Sequence, residues 1–285
     1  MQILDGRLVS DKLLSDLKIQ INQQQAKIKL DIILVGDDPA SLKYVSIKQQ
    51  KAEQVGIITK LYHLPTTVTQ TEISQLINRL NHDSNVTAFI LQLPLPSHLN
   101  RLNLLNQISP SKDADGLNAL NLGLLFQNSP SAIPSATALG VIKLLDHYSI
   151  PLDGKNTVIV GRSIEVGLPL LAMLNNKNCT VSLCHSHTQD LQSKCLQADI
   201  LISAVGQSNF IKADYVKHHA TLVDIGINKH PQTGNLVGDF DFESISTKAS
   251  FITPVPGGVG PMTVVSLLIN TLNLWQKQQY PQITS

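Results

Sequence analysis

The sequence predicts an α/β fold with two domains. The chain has 285 residues, whereas a single domain typically takes roughly 150. Hydrophobic residues make up 42% of the sequence, which is enough for a substantial core. Short apolar runs alternate with segments of helical periodicity, and this alternation is typical of parallel βαβ units. We expect an N-terminal domain over residues 1–140, a second domain over 141–260, and a C-terminal helix within 261–285 that packs back on the first domain.

The first domain is expected to alternate helices with strands. Gly56 is placed to end the second helix, and Thr69-x-x-Glu72 has the form of a capping box at the start of the third. Pro94 and Pro96 stop the third strand, because proline lacks the N–H that a strand ladder needs. We expect helices at 10–21, 41–55 and 69–81, and strands at 32–35, 57–64 and 86–93.

The second domain shows the same pattern. Pro151 and Gly154 mark the turn into it, after a helix at about 140–148 that joins the two domains. A last helix follows Pro261, which cannot sit in a helix interior but suits a first turn. We expect strands at 157–160, 180–183, 199–205 and 222–227, and a helix between the first two of them that ends near residue 175.

Composition excludes several classes of protein. The net charge of +1 leaves no basic surplus for nucleic-acid binding, and 15% charged residues are too few for disorder through self-repulsion. The three cysteines form no C-x-x-C pair, so we expect neither a disulfide framework nor a zinc ribbon. We expect a cytoplasmic location, where cysteines stay reduced. Prolines and glycines interrupt the charge-free stretch between Lys248 and Lys277, leaving less than the roughly 20 apolar residues that cross a bilayer. Neither a membrane span nor a secretory signal is expected.

A predicted strand-to-helix turn carries glycines at Gly161 and Gly167. Backbone N–H groups at a helix start point at an anion, and glycine lets the backbone approach that anion closely. Ser163 occupies the position of the second glycine of the dinucleotide motif G-x-G-x-x-G, so the turn alone also fits an ordinary connection. We expect a Rossmann-like dinucleotide-binding domain around this turn.

The end of the next strand bears on the identity of the nucleotide. It reads Cys184-His185-Ser186-His187 and has no carboxylate to hold a ribose 2′-hydroxyl, as NAD-binding domains have. We therefore expect NADP, with Arg162 supplying positive charge and Ser186 a hydroxyl donor to the 2′-phosphate. Cys184, His185 and His187 also suit a metal by residue type, but the sequence offers no evident fourth ligand, and we expect no metal.

Candidate substrate residues fall in the first domain. Tyr44 and Lys48 lie four residues apart on a predicted helix and share a face. A lysine on that face is either solvated or, if burial lowers its pKa, an acid or base. Gln92 follows a strand, at the end where open α/β sheets bind ligands. Asp113 and Asp115 lie in a turn-like loop and are either solvated or able to accept hydrogen bonds from a substrate.

Residues 253–263 are the most constrained segment of the chain. Three prolines and three glycines occur within these eleven positions. Such a composition specifies one rigid and tightly turned path. We interpret the segment as backbone that lies against a flat ligand.

Together these segments resemble the bifunctional methylenetetrahydrofolate dehydrogenase/methenyltetrahydrofolate cyclohydrolase (FolD) family over essentially the whole chain. The 253–263 loop is highly specific, and the other motifs gain their specificity from their order and spacing. The matching motifs are Tyr44-Val45-x-x-Lys48, Gln92-Leu93-Pro94-Leu95-Pro96, Lys112-Asp113-x-Asp115-Gly116, Gly161-Arg162-Ser163-x-x-Val166-Gly167-x-Pro169, Asp224-x-Gly226-Ile227-Asn228, Gly238-Asp239 and that loop.

The resemblance implies a reaction in two steps. Hydride passes from the methylene carbon that bridges N5 and N10 of tetrahydrofolate to NADP, and water then opens the methenyl ring to give 10-formyltetrahydrofolate. The resemblance also implies that Lys48 handles protons, that Gln92 tunes this lysine, that Tyr44 stacks on the folate and that Asp115 holds the pterin. Family members are commonly homodimers, so we expect a homodimer. Further expected contacts are Pro256, Gly257 and Gly258 for the substrate, and Gly161, Arg162, Ser163, Val166, Gly167, Ser186 and Ile227 for the cofactor.

Two segments depart from the family pattern. Residues 135–140 read S-A-T-A-L-G where the family usually has P-C-T-P-x-G. The loss of two prolines is expected to loosen this segment, because each proline fixes a φ angle. Glu165 replaces an apolar residue at the phosphate-binding helix start. We expect its carboxylate to point to solvent, or NADP binding to be weaker than usual.

Other functions are compatible with parts of this pattern. A dehydrogenase with little or no cyclohydrolase activity would carry the same motifs. The intact set of Tyr44, Lys48, Gln92 and Asp115 argues against a non-catalytic nucleotide- or folate-binding protein that has lost activity. A Rossmann-type dehydrogenase of small hydroxy or keto acids leaves the 253–263 loop without a role.

Overall fold

The computed structural model describes residues 1–230 and 234–280. The chain forms two units. Unit A comprises Lys12–Ala136 with the chain from Val264, and unit B comprises Met1–Asp11 with Thr137–Thr263. In chain order the elements are β1 (Gln2–Ile3), α1 (Gly6–Gln23), β2 (Lys29–Val35), α2 (Pro39–Val55), β3 (Ile58–Leu64), α3 (Gln70–His82), β4 (Ala88–Leu91), α4 (Arg101–Gln107), α5 (Ala119–Phe126), α6 (Ala136–His147), β5 (Asn156–Val160), α7 (Gly167–Asn175), β6 (Thr180–Cys184), α8 (Leu191–Leu196), β7 (Ile200–Ser203), β8 (Thr221–Asp224), β9 (Asn228–Lys229), β10 (Leu236–Val237), α9 (Phe242–Ile245), β11 (Phe251–Ile252) and α10 (Val259–Gln279).

Unit A is built on a parallel sheet of three strands in the order β3-β2-β4. In the central strand β2, Ile33 lies opposite Tyr62 of β3 and Leu91 of β4. The central strand is buried from Leu30 to Val35. The apolar run from Ile32 to Val35 is expected of a parallel strand that is covered on both faces.

Local sequence signals determine where helices α2 and α3 begin and end. Asp38 caps α2 by accepting a hydrogen bond from the Ser41 backbone N–H at 2.8 Å. Gly56 ends α2 with a φ of 89°, a left-handed conformation that favours glycine. Thr69 and Glu72 make both hydrogen bonds of the capping box at the start of α3, which confirms that prediction.

Unit B is built on a parallel sheet of six strands in the order β1-β11-β8-β7-β5-β6. The chain passes from β5 through α7 to β6 on one side, and then through α8 to β7 on the other side of β5. The strand order therefore reverses at β5. In open α/β sheets such a reversal creates a crevice at the carboxyl ends of the strands, where nucleotides bind.

These two parallel sheets confirm the predicted α/β fold class with a Rossmann-like second domain. Some boundaries were wrong: the first helix begins at Gly6 rather than at residue 10, and the strand expected at 86–93 is limited to Ala88–Leu91. Short elements went unpredicted, among them β1, β11, α4 and α5. Over the described ranges, no helix is both long and apolar enough to cross a membrane.

Candidate active site

A buried lysine and a glutamine meet in unit A. Lys48, on α2, is only 6% exposed, and its Nζ donates a hydrogen bond to Oε1 of Gln92 at 2.9 Å. Gln92 directly follows β4, and its Nε2 donates to the Leu93 carbonyl at 2.7 Å. Because a carbonyl only accepts hydrogen bonds, this contact turns the amide oxygen of Gln92 towards the lysine. The solvated alternative for Lys48 is therefore wrong.

Burial changes the acid–base chemistry of this face of α2. It lowers the pKa of Lys48, since an ammonium loses its hydration there, while the negative charge of Asp115 acts in the opposite direction. Tyr44 lies one turn earlier on α2 and is half-buried. Burial raises the pKa of its hydroxyl, so the phenol stays neutral and protonated. Lys43, by contrast, is exposed to solvent.

Asp113 organises the loop that carries Asp115. Its buried carboxylate accepts hydrogen bonds from the backbone N–H groups of Gly116 at 3.0 Å and Asn118 at 2.8 Å, and from Nδ2 of Asn121 at 3.1 Å. Burial raises the pKa of Asp113 to about 6. Asp113 is thus neither solvated nor available to a substrate, whereas Asp115 is half-buried.

Asn270 was missed by the sequence analysis. This fully buried side chain on α10 donates from Nδ2 to the carbonyls of Ala114 at 2.9 Å and Pro134 at 2.8 Å. A Cβ added at Gly116 would collide with the same Pro134 carbonyl. Asn270 therefore fastens the loop of Asp115 to the C-terminal helix. The only signal in the sequence is an amide within a charge-free, largely apolar stretch.

The glycine turn of unit B lies where the reversed strand order places a nucleotide. Gly161 follows β5 with a φ of 126°, and a Cβ there would approach the Ala204 carbonyl at the end of β7. A Cβ at Gly167, the first residue of α7, would collide with the Gly161 carbonyl. Ser163 closes the turn, with its Oγ accepting from the Val166 N–H at 3.2 Å. The turn is tight and depends on both glycines.

Arg162 lies in this turn, Ser186 follows β6 and Ile227 follows β8. Arg162, Ser186 and Ile227 are exposed. Ser186 follows β6, the strand next to β5. Glu165 is half-buried, and both alternatives for its carboxylate stay predictions.

The histidines after β6 are engaged in local contacts. The backbone N–H of His187 donates to Nδ1 of His185 at 3.2 Å, and the backbone N–H of His185 donates to Oγ1 of Thr188 at 2.8 Å. Within residues 1–230 and 234–280, no group of three or more His, Cys, Asp or Glu side chains is arranged to hold a metal ion.

The proline- and glycine-rich loop of unit B is held by the N-terminus of the chain. The Arg7 N–H donates to the Gly257 carbonyl at 3.1 Å, and the Gly258 N–H donates to the Pro254 carbonyl at 2.8 Å. A Cβ at Gly6 would collide with the Gly258 carbonyl. Gly257 and Gly258 are buried, while Pro256 is exposed. The role of residues 5–7 in this loop was missed by the sequence analysis.

The segment that departs from the family pattern spans the start of α6. Ser135, Ala136, Ala138 and Gly140 are all buried. The Ala136 N–H donates to the Asp115 carbonyl at 3.2 Å. Whether the loss of two prolines loosens this segment stays a prediction.

The structure thus groups the predicted residues into two sets. Unit A holds the four predicted catalytic residues. Among them, Lys48 donates a hydrogen bond to Gln92, and the charge of Asp115 raises the pKa of Lys48 against the effect of burial. Unit B holds all the predicted cofactor residues and the loop with Pro256, Gly257 and Gly258.

Comparisons with known proteins agree with this division. Residues 4–115 match the family model of the tetrahydrofolate dehydrogenase/cyclohydrolase catalytic domain, and residues 135–279 match that of the NAD(P)-binding domain. The Bifunctional protein FolD of Nitratiruptor sp. is 45% identical over 95% of this chain and 97% of its own length.

Solved structures give the same result. The bifunctional enzyme FolD from Campylobacter jejuni, a methylenetetrahydrofolate dehydrogenase/cyclohydrolase, superposes with a TM-score of 0.94 at 44% identity, covering 98% of this chain and 99% of that one. The Trypanosoma brucei dehydrogenase-cyclohydrolase, complexed with NADP cofactor and inhibitor, has a TM-score of 0.91 at 33% identity, covering 97% and 98%. This chain therefore belongs to the tetrahydrofolate dehydrogenase/cyclohydrolase family.

Proposed function

We propose that the chain oxidises 5,10-methylenetetrahydrofolate with NADP and then hydrolyses the resulting 5,10-methenyltetrahydrofolate to 10-formyltetrahydrofolate, in one-carbon metabolism. The observation that carries the proposal is the buried contact of Lys48 with Gln92, in a chain that matches both domains of the family. The catalytic-domain match covers Lys48 and Gln92, and the NAD(P)-binding match covers the glycine turn.

The oxidation requires little acid–base chemistry from the protein. The N5 and N10 nitrogens of the substrate supply the electron density that expels hydride, and NADP supplies the acceptor for it when bound. The tight Gly161–Gly167 turn at the start of α7 suits a pyrophosphate, because it presents backbone N–H groups without side-chain bulk. The exposed Arg162 and Ser186 would hold the 2′-phosphate.

The hydrolysis requires a proton acceptor, and Lys48 fits that role. Burial lowers its pKa, so more of the amine is neutral near physiological pH than in an exposed lysine. The neutral Nζ takes a proton from the water that attacks the methenyl carbon, and the resulting ammonium gives this proton to N5 as the bond between N5 and that carbon breaks. The hydroxyl proton of the adduct is released as the formyl C=O bond forms. Gln92 fixes the position of Nζ through its 2.9 Å hydrogen bond.

The other predicted residues bind and orient the substrate. Tyr44 would stack its ring on the folate, since its neutral phenol lies one turn from Lys48. Asp115 would accept hydrogen bonds from the pterin N–H groups, and the loop fixed by Asp113 and Asn270 holds it ready to do so. Backbone at Pro256, Gly257 and Gly258 would contact the flat part of the substrate.

We also propose a homodimer and a cytoplasmic location. The homodimer is expected from the family resemblance, and β6 supports it as an edge strand that pairs only with β5 among the described residues. A mass of one chain by light scattering would exclude it. The cysteines Cys179, Cys184 and Cys195 are all free thiols, as in proteins of a reducing compartment.

Variants of two lysines on α2 test the proposed mechanism. Lys48→Met is expected to abolish hydrolysis of added methenyltetrahydrofolate, because it removes the proton carrier, whereas Lys43→Met, at an exposed position of the same helix, should leave the rate unchanged. The measurement is the loss of methenyl absorbance. Retained hydrolysis in Lys48→Met would show that another group carries the proton.

An assay of the unmodified protein distinguishes the bifunctional enzyme from a dehydrogenase with weak or no cyclohydrolase activity. Given methylenetetrahydrofolate with NADP or with NAD, it is expected to form NADPH, followed by a methenyl product that decays. No nucleotide reduction with either cofactor would exclude a dehydrogenase. A methenyl product that accumulates without enzymatic decay would instead identify a dehydrogenase with weak or no cyclohydrolase activity.

A further inference from the structure

A carboxylate outside the predicted site connects the strand ends of unit B. The side chain of Asp239 is fully buried. Its Oδ2 accepts hydrogen bonds from Oγ of Ser203 at 3.0 Å and from the Val205 N–H at 2.8 Å. Its Oδ1 accepts from the Gln207 N–H and from Nδ2 of Asn228, both at 3.0 Å. One carboxylate thus holds the segment that follows β7 and the segment that follows β8.

A second carboxylate fixes the backbone around the first. Asp224, at the end of β8, is buried, and its Oδ1 accepts from the Gly226 N–H at 3.1 Å and from the Asp239 N–H at 2.9 Å. Its Oδ2 accepts from the Phe240 N–H at 2.9 Å. Asp224 therefore sets the position from which Asp239 reaches the two segments.

Two glycines allow the carboxylates of Asp224 and Asp239 to lie close against the backbone. A Cβ at Gly226 would collide with the carboxylate of Asp239, and a Cβ at Gly238 would collide with that of Asp224. Burying each acid costs free energy that its hydrogen bonds must offset. The arrangement therefore serves a geometry that apolar packing would not specify.

The segments held by Asp239 lie at the carboxyl ends of the strands on one side of the reversal point. Residues 205–207 follow β7, the neighbour of β5, and residues 226–228 include Ile227, a predicted cofactor contact. We propose that Asp239, braced by Asp224, is a positioning residue for the nucleotide: it holds these two segments in the conformation that receives the nicotinamide half of NADP. This inference rests on the proposed function of unit B.

The test compares the two activities of the same protein. Asp239→Asn replaces two accepting oxygens by one oxygen and an NH₂ group that faces backbone N–H donors, so the clamp on residues 205–207 is broken. We expect the KM for NADP to rise at least tenfold, while hydrolysis of added methenyltetrahydrofolate, assigned to Lys48 of unit A, stays within twofold of the unmodified protein. Asp214→Asn, at an exposed carboxylate of unit B, should change neither value.

A milder variant keeps the test decisive if Asp239→Asn does not fold. Ser203→Ala removes one hydrogen bond to Asp239 and no charge, and is expected to raise the KM for NADP about threefold. An unchanged KM for NADP in the variants that fold, or an equal loss of both activities, would overturn the inference. Absence of nucleotide reduction in the unmodified protein would instead count against the proposed function itself.

Discussion

Lys48 is the residue whose chemistry depends most on its surroundings. Its pKa is lowered by burial and partly restored by the charge of Asp115, and Gln92, to which it donates a hydrogen bond, is neutral. A neutral partner fixes the position of the amine without stabilising the ammonium form as a carboxylate would. An amide rather than a carboxylate at position 92 therefore lets Lys48 remain a neutral amine that can act as a base.

Gln92→Glu tests this reasoning at the residue scale. A carboxylate 2.9 Å from Nζ favours the ammonium form, so the pKa of Lys48 should rise. If the neutral amine accepts the proton, the acid limb of the pH–rate profile for methenyltetrahydrofolate hydrolysis moves to higher pH. Gln75→Glu, which adds the same charge at an exposed position of α3, should leave the limb in place. An acid limb that does not move in an active Gln92→Glu variant would rule out Lys48 as the titrating base.

At the scale of elements, two helices contain glycines with different structural consequences. Gly167 begins α7, and a Cβ there would collide with the Gly161 carbonyl. Gly123 lies within α5, is exposed, and has no atom within 4 Å of an added Cβ. The first glycine is required by the tight turn, whereas the second costs helix stability without a visible gain.

The same substitution at both sites should therefore give different results. Gly167→Ala is expected to raise the KM for NADP at least tenfold, because the turn must open, and to spare the hydrolysis assigned to unit A. Gly123→Ala should leave both activities unchanged and raise the free energy of unfolding by about 0.5–1 kcal/mol. Steady-state kinetics and denaturant titration measure the two effects. Unaltered nucleotide kinetics in Gly167→Ala would mean that the turn is not the binding site.

Elements with strong local signals could be predicted from the sequence, and those defined by distant partners could not. The capping box of α3 and the glycine end of α2 are local, and both were found. Strands β1 and β11 have two residues each and exist because distant segments pair: Gln2 lies opposite Phe251, and Phe251 lies opposite Thr221. No window of sequence contains that information.

The candidate site divides in the same way. The residue types at positions 48 and 92 suggested a site, and the family resemblance linked them, but the burial of Lys48 needed the folded chain. Asp113 shows the limit most clearly, because a loop carboxylate between Lys112 and Asp115 gives no hint that it is buried and turned onto its own loop. Asn270 was missed because its partners lie more than 130 residues away.

At the scale of the whole molecule, each unit recruits a distant end of the chain. Residues 1–11 join unit B, where β1 extends the sheet, and α10 enters unit A after Thr263. Lys277 near the end of α10 donates to the Ser131 carbonyl at 2.7 Å, and Asn270 donates to the loop of Asp115. The stability of unit A and the geometry of its proposed pterin contact are therefore coupled through the C-terminal helix.

The burial of Asp113 makes the stability of unit A depend on pH. Burial raises its pKa from 3.8 to about 6, so the folded protein binds the proton more tightly than the unfolded chain between those pH values. The contribution of Asp113 to the free energy of unfolding is consequently greatest below pH 4 and falls by about 3 kcal/mol as the pH rises to 6. An exposed acid whose pKa is lowered in the folded state has the opposite effect, because its contribution to the free energy of unfolding grows as the pH rises. Glu72, held by Thr69 in the capping box, is such a group.

Asp113→Asn should therefore flatten the decline of unfolding free energy between pH 4 and 6, whatever its effect on absolute stability. Glu72→Gln should instead make the decline steeper near pH 4, because it removes a group whose stabilising effect grows as the pH rises. The single tryptophan, Trp275, lies on α10 in unit A, so its fluorescence in guanidinium titrations reports the unfolding of the unit that contains both acids. If the pH profiles of Asp113→Asn and the unmodified protein are parallel, Asp113 titrates normally in the folded state. The loop carrying Asp115 is then held by Asn270 and its backbone contacts, without a buried acid that resists ionisation.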